Sequence, residues 1–146
     1  MDLQLKDKKV LITGGSRGIG KAIAESFLAE GASVTIVSRD LEQLFETERY
    51  LKNLFKNSEI HALACDCTSI VELKKLSVSV ERFWGGLDIV VANVGNGQSD
   101  ASPIPDDLQW KKTWDINFES ALHTARTFLP MLQKTKGNLV FISSIA

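Results

Sequence analysis

The chain has 146 residues, 44% hydrophobic and 24% charged, a composition that suits one globular domain, 1–146, with a sizeable core. Its 17 basic and 18 acidic residues leave a net charge of −1, so neither nucleic acid nor a membrane surface is indicated as a partner. No apolar run approaches the ~18 residues of a membrane span, and Met1 to Lys6 shows no signal-peptide pattern, so a cytoplasmic location is expected.

Val10 to Thr13 is a short apolar run that stops at Gly14-Gly15, and an amphipathic stretch begins a few residues later. This spacing predicts strand, tight turn and helix, an arrangement that aims backbone N–H groups and a helix N-terminus at a phosphate. Ile19, Ala22, Ile23, Ser26 and Phe27 recur at helical spacing until Gly31 closes the helix. Ser33 to Val37 is a β-branched second strand. Asp40, with Gln43 three residues on, predicts the cap of a second helix carrying Leu41, Leu44, Phe45, Leu51 and Leu54. A third strand, Ile60 to Ala64, leads to Cys65-Asp66-Cys67. Cysteines one residue apart are poorly placed for a structural disulfide, and no His/Cys grouping has metal-ligand spacing, so the thiols read as buried and reduced and no metal is expected.

Thr68 to Phe83 predicts a third helix with Val71, Leu76 and Val80 on its apolar side, broken by Gly85-Gly86. Leu87 to Ala92 is a fourth strand, almost free of polar residues from Ile89 onward, as a strand covered on both faces would be. Gly95 to Pro105 is the longest loop, a long helix is predicted from about Asp106 to Met131, and Asn138 to Ile142 is a fifth strand. Strands alternating with helices predict an α/β fold, a doubly wound parallel sheet of five strands with helices on both faces. Ligands of such sheets sit beyond the carboxyl ends of the strands. The polar irregularities fall there: the glycine loop, Ser38-Arg39, Asp66, Asn93-Val94-Gly95 and Ser143-Ser144.

The string Thr13-Gly14-x-x-x-Gly18-Ile19-Gly20 resembles the cofactor loop of the short-chain dehydrogenase/reductase family, ordinary short branch, and so implies a Rossmann-like fold. The resemblance implies cofactor contacts from Gly14, Ser16, Arg17, Gly18, Ile19 and Gly20. Ser38 and Arg39 stand where the adenosine ribose would lie. A carboxylate there would repel a 2′-phosphate, whereas a guanidinium binds one through charge-assisted hydrogen bonds. With Arg17 nearby, the pattern is similar to members that prefer NADP(H), with NAD(H) also possible. Asp40 argues the other way unless it caps the helix. Asp66, with Cys67 beside it, matches the aspartate that meets the adenine, although an Asx turn before Thr68 would also use it.

Ala92-Asn93-Val94-Gly95 is similar to the family's Asn-Asn-Ala-Gly motif at Asn93 and Gly95 and departs from it at Ala92 and Val94. Asn117 sits inside the long helix, where asparagine is a poor helix former. The resemblance implies a local bend and a water held in a proton relay. Phe141 to Ala146 resembles the strand end that carries the catalytic serine, which makes Ser144 the matching residue, polarising the substrate carbonyl. His61 and His123 have no motif around them.

The family's Tyr-x-x-x-Lys pair is not in this sequence, whose sole tyrosine is Tyr50. The chain therefore reads as the amino-terminal portion of the family fold, with its carboxyl-terminal part missing and no turnover expected of it alone. A small carbonyl or alcohol substrate and a homo-oligomeric parent are implied. A non-catalytic nucleotide-binding or partner-binding module remains an alternative, as does an unrelated flavodoxin-like domain.

Overall fold

The computed structural model describes residues 1–97 and 102–144. The strands β1 (Lys9–Thr13), β2 (Ser33–Ser38), β3 (Ile60–Ala64), β4 (Ile89–Ala92) and β5 (Asn138–Phe141) form a parallel sheet in the order β3-β2-β1-β4-β5. Order reverses between β1 and its neighbours β2 and β4, which opens a crevice above the carboxyl end of β1. The helices are α1 (Gly18–Ala29), α2 (Leu41–Leu54), α3 (Ile70–Trp84), α4 (Asp107–Trp114) and α5 (Ser120–Thr135). The predicted loop from Gly95 to Pro105 falls in part on 98–101, and Ile145 and Ala146 follow Ser144; these lie outside the described residues.

Alternation along the strands sorts the core into two layers. Val10, Ile12, Val34, Ile36, Ile89 and Val91 face Ala24 and Leu28 of α1 and Leu44 and Leu51 of α2. Leu11, Val37 and Val90 face Leu73, Leu76 and Val80 of α3 and Phe128 and Leu132 of α5. The strands fall where the sequence places them, to within two residues at either end.

The helix faces differ from expectation in detail. Ile19, Leu41, Phe45, Leu54 and Val71 are exposed, and the buried positions of α1 are Gly20, Ala24 and Leu28. Small side chains at Gly20 and Ala24 let α1 close on the sheet, which turns its larger neighbours toward the rim. In α3 the buried stripe runs through Leu73, Leu76, Val80 and Trp84, not Val71, which lies five residues before Leu76 and so about 140° round the helix from it.

The predicted long helix runs from Asp107 to Thr135 in three parts: α4, a π-helical turn over Asp115–Glu119, and α5. It passes Pro130 and ends where Lys136 takes a left-handed conformation, φ 53°. Thr135 fixes this end by donating from Oγ1 to the Leu87 carbonyl at 2.7 Å. Beyond it, β5 forms an open edge of the sheet, with Val140 41% and Phe141 53% exposed. No helix among the described residues is long and apolar enough to cross a membrane.

Candidate functional site

A cleft of about 500 Å³ opens above the carboxyl ends of the strands. Its floor begins with the turn after β1, where Gly14 and Gly18 have φ of +63° and +52°. The turn is tied to the sheet from two sides: Gly15 N donates to the Val37 carbonyl at 3.1 Å, and Asn93 Nδ2 donates to the Gly14 carbonyl at 3.1 Å. Asn93 N also donates to Thr13 Oγ1 at 3.0 Å, so the segment after β4 is sewn to the end of β1. A Cβ on Gly20 would fall on the Gly14 carbonyl oxygen, so only glycine lets the first turn of α1 pack this closely.

The start of α1 faces the cleft. Arg17 occupies its N-cap in an extended conformation, with no side-chain cap bond and no acidic residue in the first turn. Free N–H groups and the positive end of the helix dipole therefore point at whatever occupies the cleft.

Ser38 and Arg39, after β2, line the cleft together with Ser16 and Arg17 of the glycine loop. Ser16 Oγ donates to Ser38 Oγ at 3.1 Å, and Thr47 Oγ1 donates to the Ser16 carbonyl at 2.6 Å. Asp40 does not line the cleft. Its carboxylate accepts from Gln43 N at 3.1 Å and caps α2.

Further along, Cys65, Asp66, Cys67 and Thr68 form a wall. Asp66 Oδ1 accepts from Thr68 N at 2.9 Å and from Thr68 Oγ1 at 2.8 Å, an Asx turn. Asp66 N donates to Glu72 Oε2 at 2.7 Å, which fixes the wall to the first turn of α3. Both cysteines are free and buried. A hydrogen bond with Cys67 draws the Cys65 thiol below its ordinary pKa, against the effect of burial, and the same bond, together with burial, pushes the Cys67 thiol up. Among the described residues no group of three or more His, Cys, Asp or Glu is placed to hold a metal.

Gly95, Asn96 and Ile116 close the cleft beside β4. Asn117, in the π-helical turn, accepts from Asn96 N through Oδ1 at 2.7 Å. The extra residue of the π turn aims this amide at the loop instead of along the helix.

Ten of the residues singled out in the sequence thus meet around one cleft: Gly14, Ser16, Arg17, Ile19, Ser38, Arg39, Asp66, Cys67, Asn93 and Gly95. Gly18 and Gly20 shape the turn without lining it, and Asn117 reaches it through Asn96. Ser144, exposed beyond the end of β5, is not among the lining residues. His61 stacks on Phe83 at 4.1 Å between ring centroids, and His123 pairs with Glu119 at 3.4 Å; neither lines the cleft. Sequence reasoning missed Thr47 and Glu72. Thr47 had a signal: it is a polar residue in the stripe Leu44-Thr47-Leu51, where the helical period calls for an apolar one.

A family model described as short chain dehydrogenase matches residues 8–146. The chain belongs to the short-chain dehydrogenase family. The uncharacterised oxidoreductase YvrD of Bacillus subtilis (strain 168) is 39% identical over 148 residues, covering 100% of this chain and 54% of that protein. An uncharacterised oxidoreductase of Staphylococcus aureus (strain USA300) is 34% identical over 145 residues, covering 97% of this chain and 60% of the relative. The short-chain dehydrogenase fold is shared with L-sorbose reductase from Gluconobacter frateurii, solved with NADPH and L-sorbose. That match has a TM-score of 0.92 and 33% identity, covering 99% of this chain and 55% of the other. An NADPH-bound short-chain oxidoreductase from Pseudomonas aeruginosa PAO1 matches with a TM-score of 0.89 and 31% identity, covering 96% and 56%. The chain spans 54–60% of the length of these curated relatives.

Proposed function

We propose that this chain forms the cofactor-binding part of an NADP(H)-dependent oxidoreductase acting on a carbonyl or alcohol substrate. The observation that carries the reading is that Arg17 and Arg39 both line the cleft, while the Asp40 carboxylate is spent on capping α2. Two guanidinium groups there suit a 2′-phosphate, and the carboxylate that would repel it is turned away. The uncapped start of α1 suits the pyrophosphate, so this chain's donors fit both phosphate-bearing parts of the cofactor. The NADPH complexes of two structural neighbours support the same choice. NAD(H) would fit the same cleft without the arginine contacts.

One charge-assisted hydrogen bond contributes about 1.5–3 kcal/mol, which is roughly one to two decades of affinity. Arg39→Ala should therefore weaken NADPH by that factor and leave NADH nearly unchanged in a titration followed by cofactor fluorescence. Equal affinity of the unaltered protein for both cofactors would overturn the reading.

Bound cofactor would supply or accept the hydride. The remaining roles fall to side chains: Asp66 meets the adenine, Asn93 holds the floor under the cleft, and Asn117 orders the loop above it. Ser144 orients and polarises the substrate oxygen. The proton is the missing piece. Tyr50, the only tyrosine of the chain, lies on α2 with Lys21 Nζ 3.7 Å from its ring centroid, and it does not line the cleft. General acid–base catalysis contributes roughly 10²–10⁴-fold, so the 146 residues alone should bind NADPH without turning over a carbonyl substrate. Adding a segment with the family's Tyr-x-x-x-Lys pair should restore turnover, and Ser144→Ala in that protein should remove most of it. Turnover by the purified chain, free of contaminating reductases, would defeat this assignment. A homo-oligomer would draw on the exposed Trp110, Trp114 and Phe118 of the long helix, and light scattering tests it.

A further inference from the structure

We propose that Thr47 is a positioning residue that sets how strongly this cleft discriminates NADPH from NADH; the inference rests on the cofactor reading above. Thr47 lies in the buried stripe of α2 and is 2% exposed. Helical Ser and Thr side chains commonly return their hydroxyl to the carbonyl four residues back. Ser26, Ser79, Thr124 and Thr127 all do so in this protein. Thr47 instead reaches out of its helix and donates to the Ser16 carbonyl in the glycine loop at 2.6 Å.

This bond closes a ring. Ser16 Oγ donates to Ser38 Oγ at 3.1 Å, Asp40 N donates to the same Ser38 oxygen at 3.2 Å, and Asp40 caps α2, the helix that carries Thr47. Arg17 follows Ser16 and Arg39 follows Ser38, so the ring joins the two segments whose guanidinium groups would share the 2′-phosphate. The other side of the glycine loop is held separately, by Asn93 on the Gly14 carbonyl. Loosening the ring should therefore slacken the arginine end and leave the pyrophosphate end in place. Side chains held by a surrounding shell lose less freedom on binding, and that difference appears as affinity.

The test compares three proteins in the intact chain by NADPH and NADH titration: unaltered, Thr47→Val, which keeps the shape and removes the hydroxyl, and Thr47→Ser, which keeps the hydroxyl. Thr47→Val should lower NADPH affinity roughly fivefold to tenfold, the size of one hydrogen bond. NADH affinity should stay within about twofold, and Thr47→Ser should restore the NADPH preference. Equal loss of both cofactors, no loss of NADPH, or failure of Thr47→Ser to restore the preference would each overturn the inference. If Thr47→Val does not fold, Thr47→Ala is read in its place; if neither folds, Thr47 serves the fold and the inference is wrong. A missing NADPH preference in the unaltered protein is a different result, because it sinks the cofactor reading itself.

Discussion

The starts of α1 and of α2, α3 and α4 are built from the same backbone but finished differently. Asp40 accepts from Gln43 N at 3.1 Å, Ser69 from Glu72 N at 3.3 Å and Asp106 from Gln109 N at 2.8 Å, so α2, α3 and α4 satisfy part of their own N-termini. Each also carries an acidic residue in its first turn: Glu42, Glu72 and Asp107. Alone among these four, α1 begins at an arginine with neither device. Every helix leaves four N–H groups without intrahelical partners. Those of α1 are left uncapped beside a polar cleft, and on the cofactor reading proposed above they are the donors that meet its phosphates. On that reading the difference would separate side chains committed to the fold from those held for a ligand.

The largest effect should come from breaking the close approach that lets α1 point at the cleft. A methyl group on Gly20 would meet the Gly14 carbonyl and the Asn93 amide, neither of which can yield without moving the loop. Gly20→Ala should cost about 3 kcal/mol, the upper end for overpacking, in chemical denaturation, and should abolish NADPH binding. Gly86→Ala is the control, since its nearest neighbour would be the Thr135 methyl at an ordinary 3.6 Å. It should shift stability by less than about 0.5 kcal/mol.

A smaller effect tests the two kinds of N-terminus directly. Asp106→Ala removes the cap of α4 and should cost about 1 kcal/mol of stability without weakening NADPH, because neither Asp106 nor its partner Gln109 lines the cleft. Arg17→Asp does the converse: it gives α1 the cap and the negative charge the other helices possess. It should raise thermal stability by about 0.5–1 kcal/mol and sharply reduce NADPH affinity. If both substitutions moved stability and binding together, the division between fold and ligand groups would not hold.

This division was only half legible in the sequence. Strands were readable because β-branched runs such as Val10 to Thr13 and Ser33 to Val37 are buried on both faces and bounded by glycine or polar residues. The cap at Asp40 was readable because its partner lies three residues away. Helix faces were read less well: period alone does not say that Gly20 and Ala24, not Ile19, lie against the sheet. Asn117 was visible as a poor helix former, but the π turn was not, since the Asn96 loop that its amide meets comes from another segment. Thr47 stood out only as a polar residue in an apolar stripe, and Glu72 not at all, because their partners Ser16 and Asp66 come from other segments.

The smallest effect lies at the opposite end of the sheet, where polar groups should serve the fold only. Glu59 Oε1 accepts from His61 Nε2 at 2.8 Å and from Trp84 Nε1 at 2.9 Å. Burial opposes ionisation of this carboxyl, but the bonds from His61 and Trp84 outweigh it and hold its pKa below the ordinary carboxylate value. A lowered folded pKa means the unfolded chain binds the proton first as pH falls. The stabilisation is therefore complete above the ordinary carboxylate range and is lost as pH drops through the folded pKa. The Glu59 side chain is 48% exposed, so solvent screening limits the effect to about 0.2–1 kcal/mol. Denaturation of the unaltered protein and of Glu59→Gln should differ by this amount at neutral pH and converge in acid, while NADPH affinity at neutral pH stays the same. A change in that affinity would mean the two ends of the sheet are coupled, and the separation of fold groups from ligand groups would fail where it ought to be cleanest.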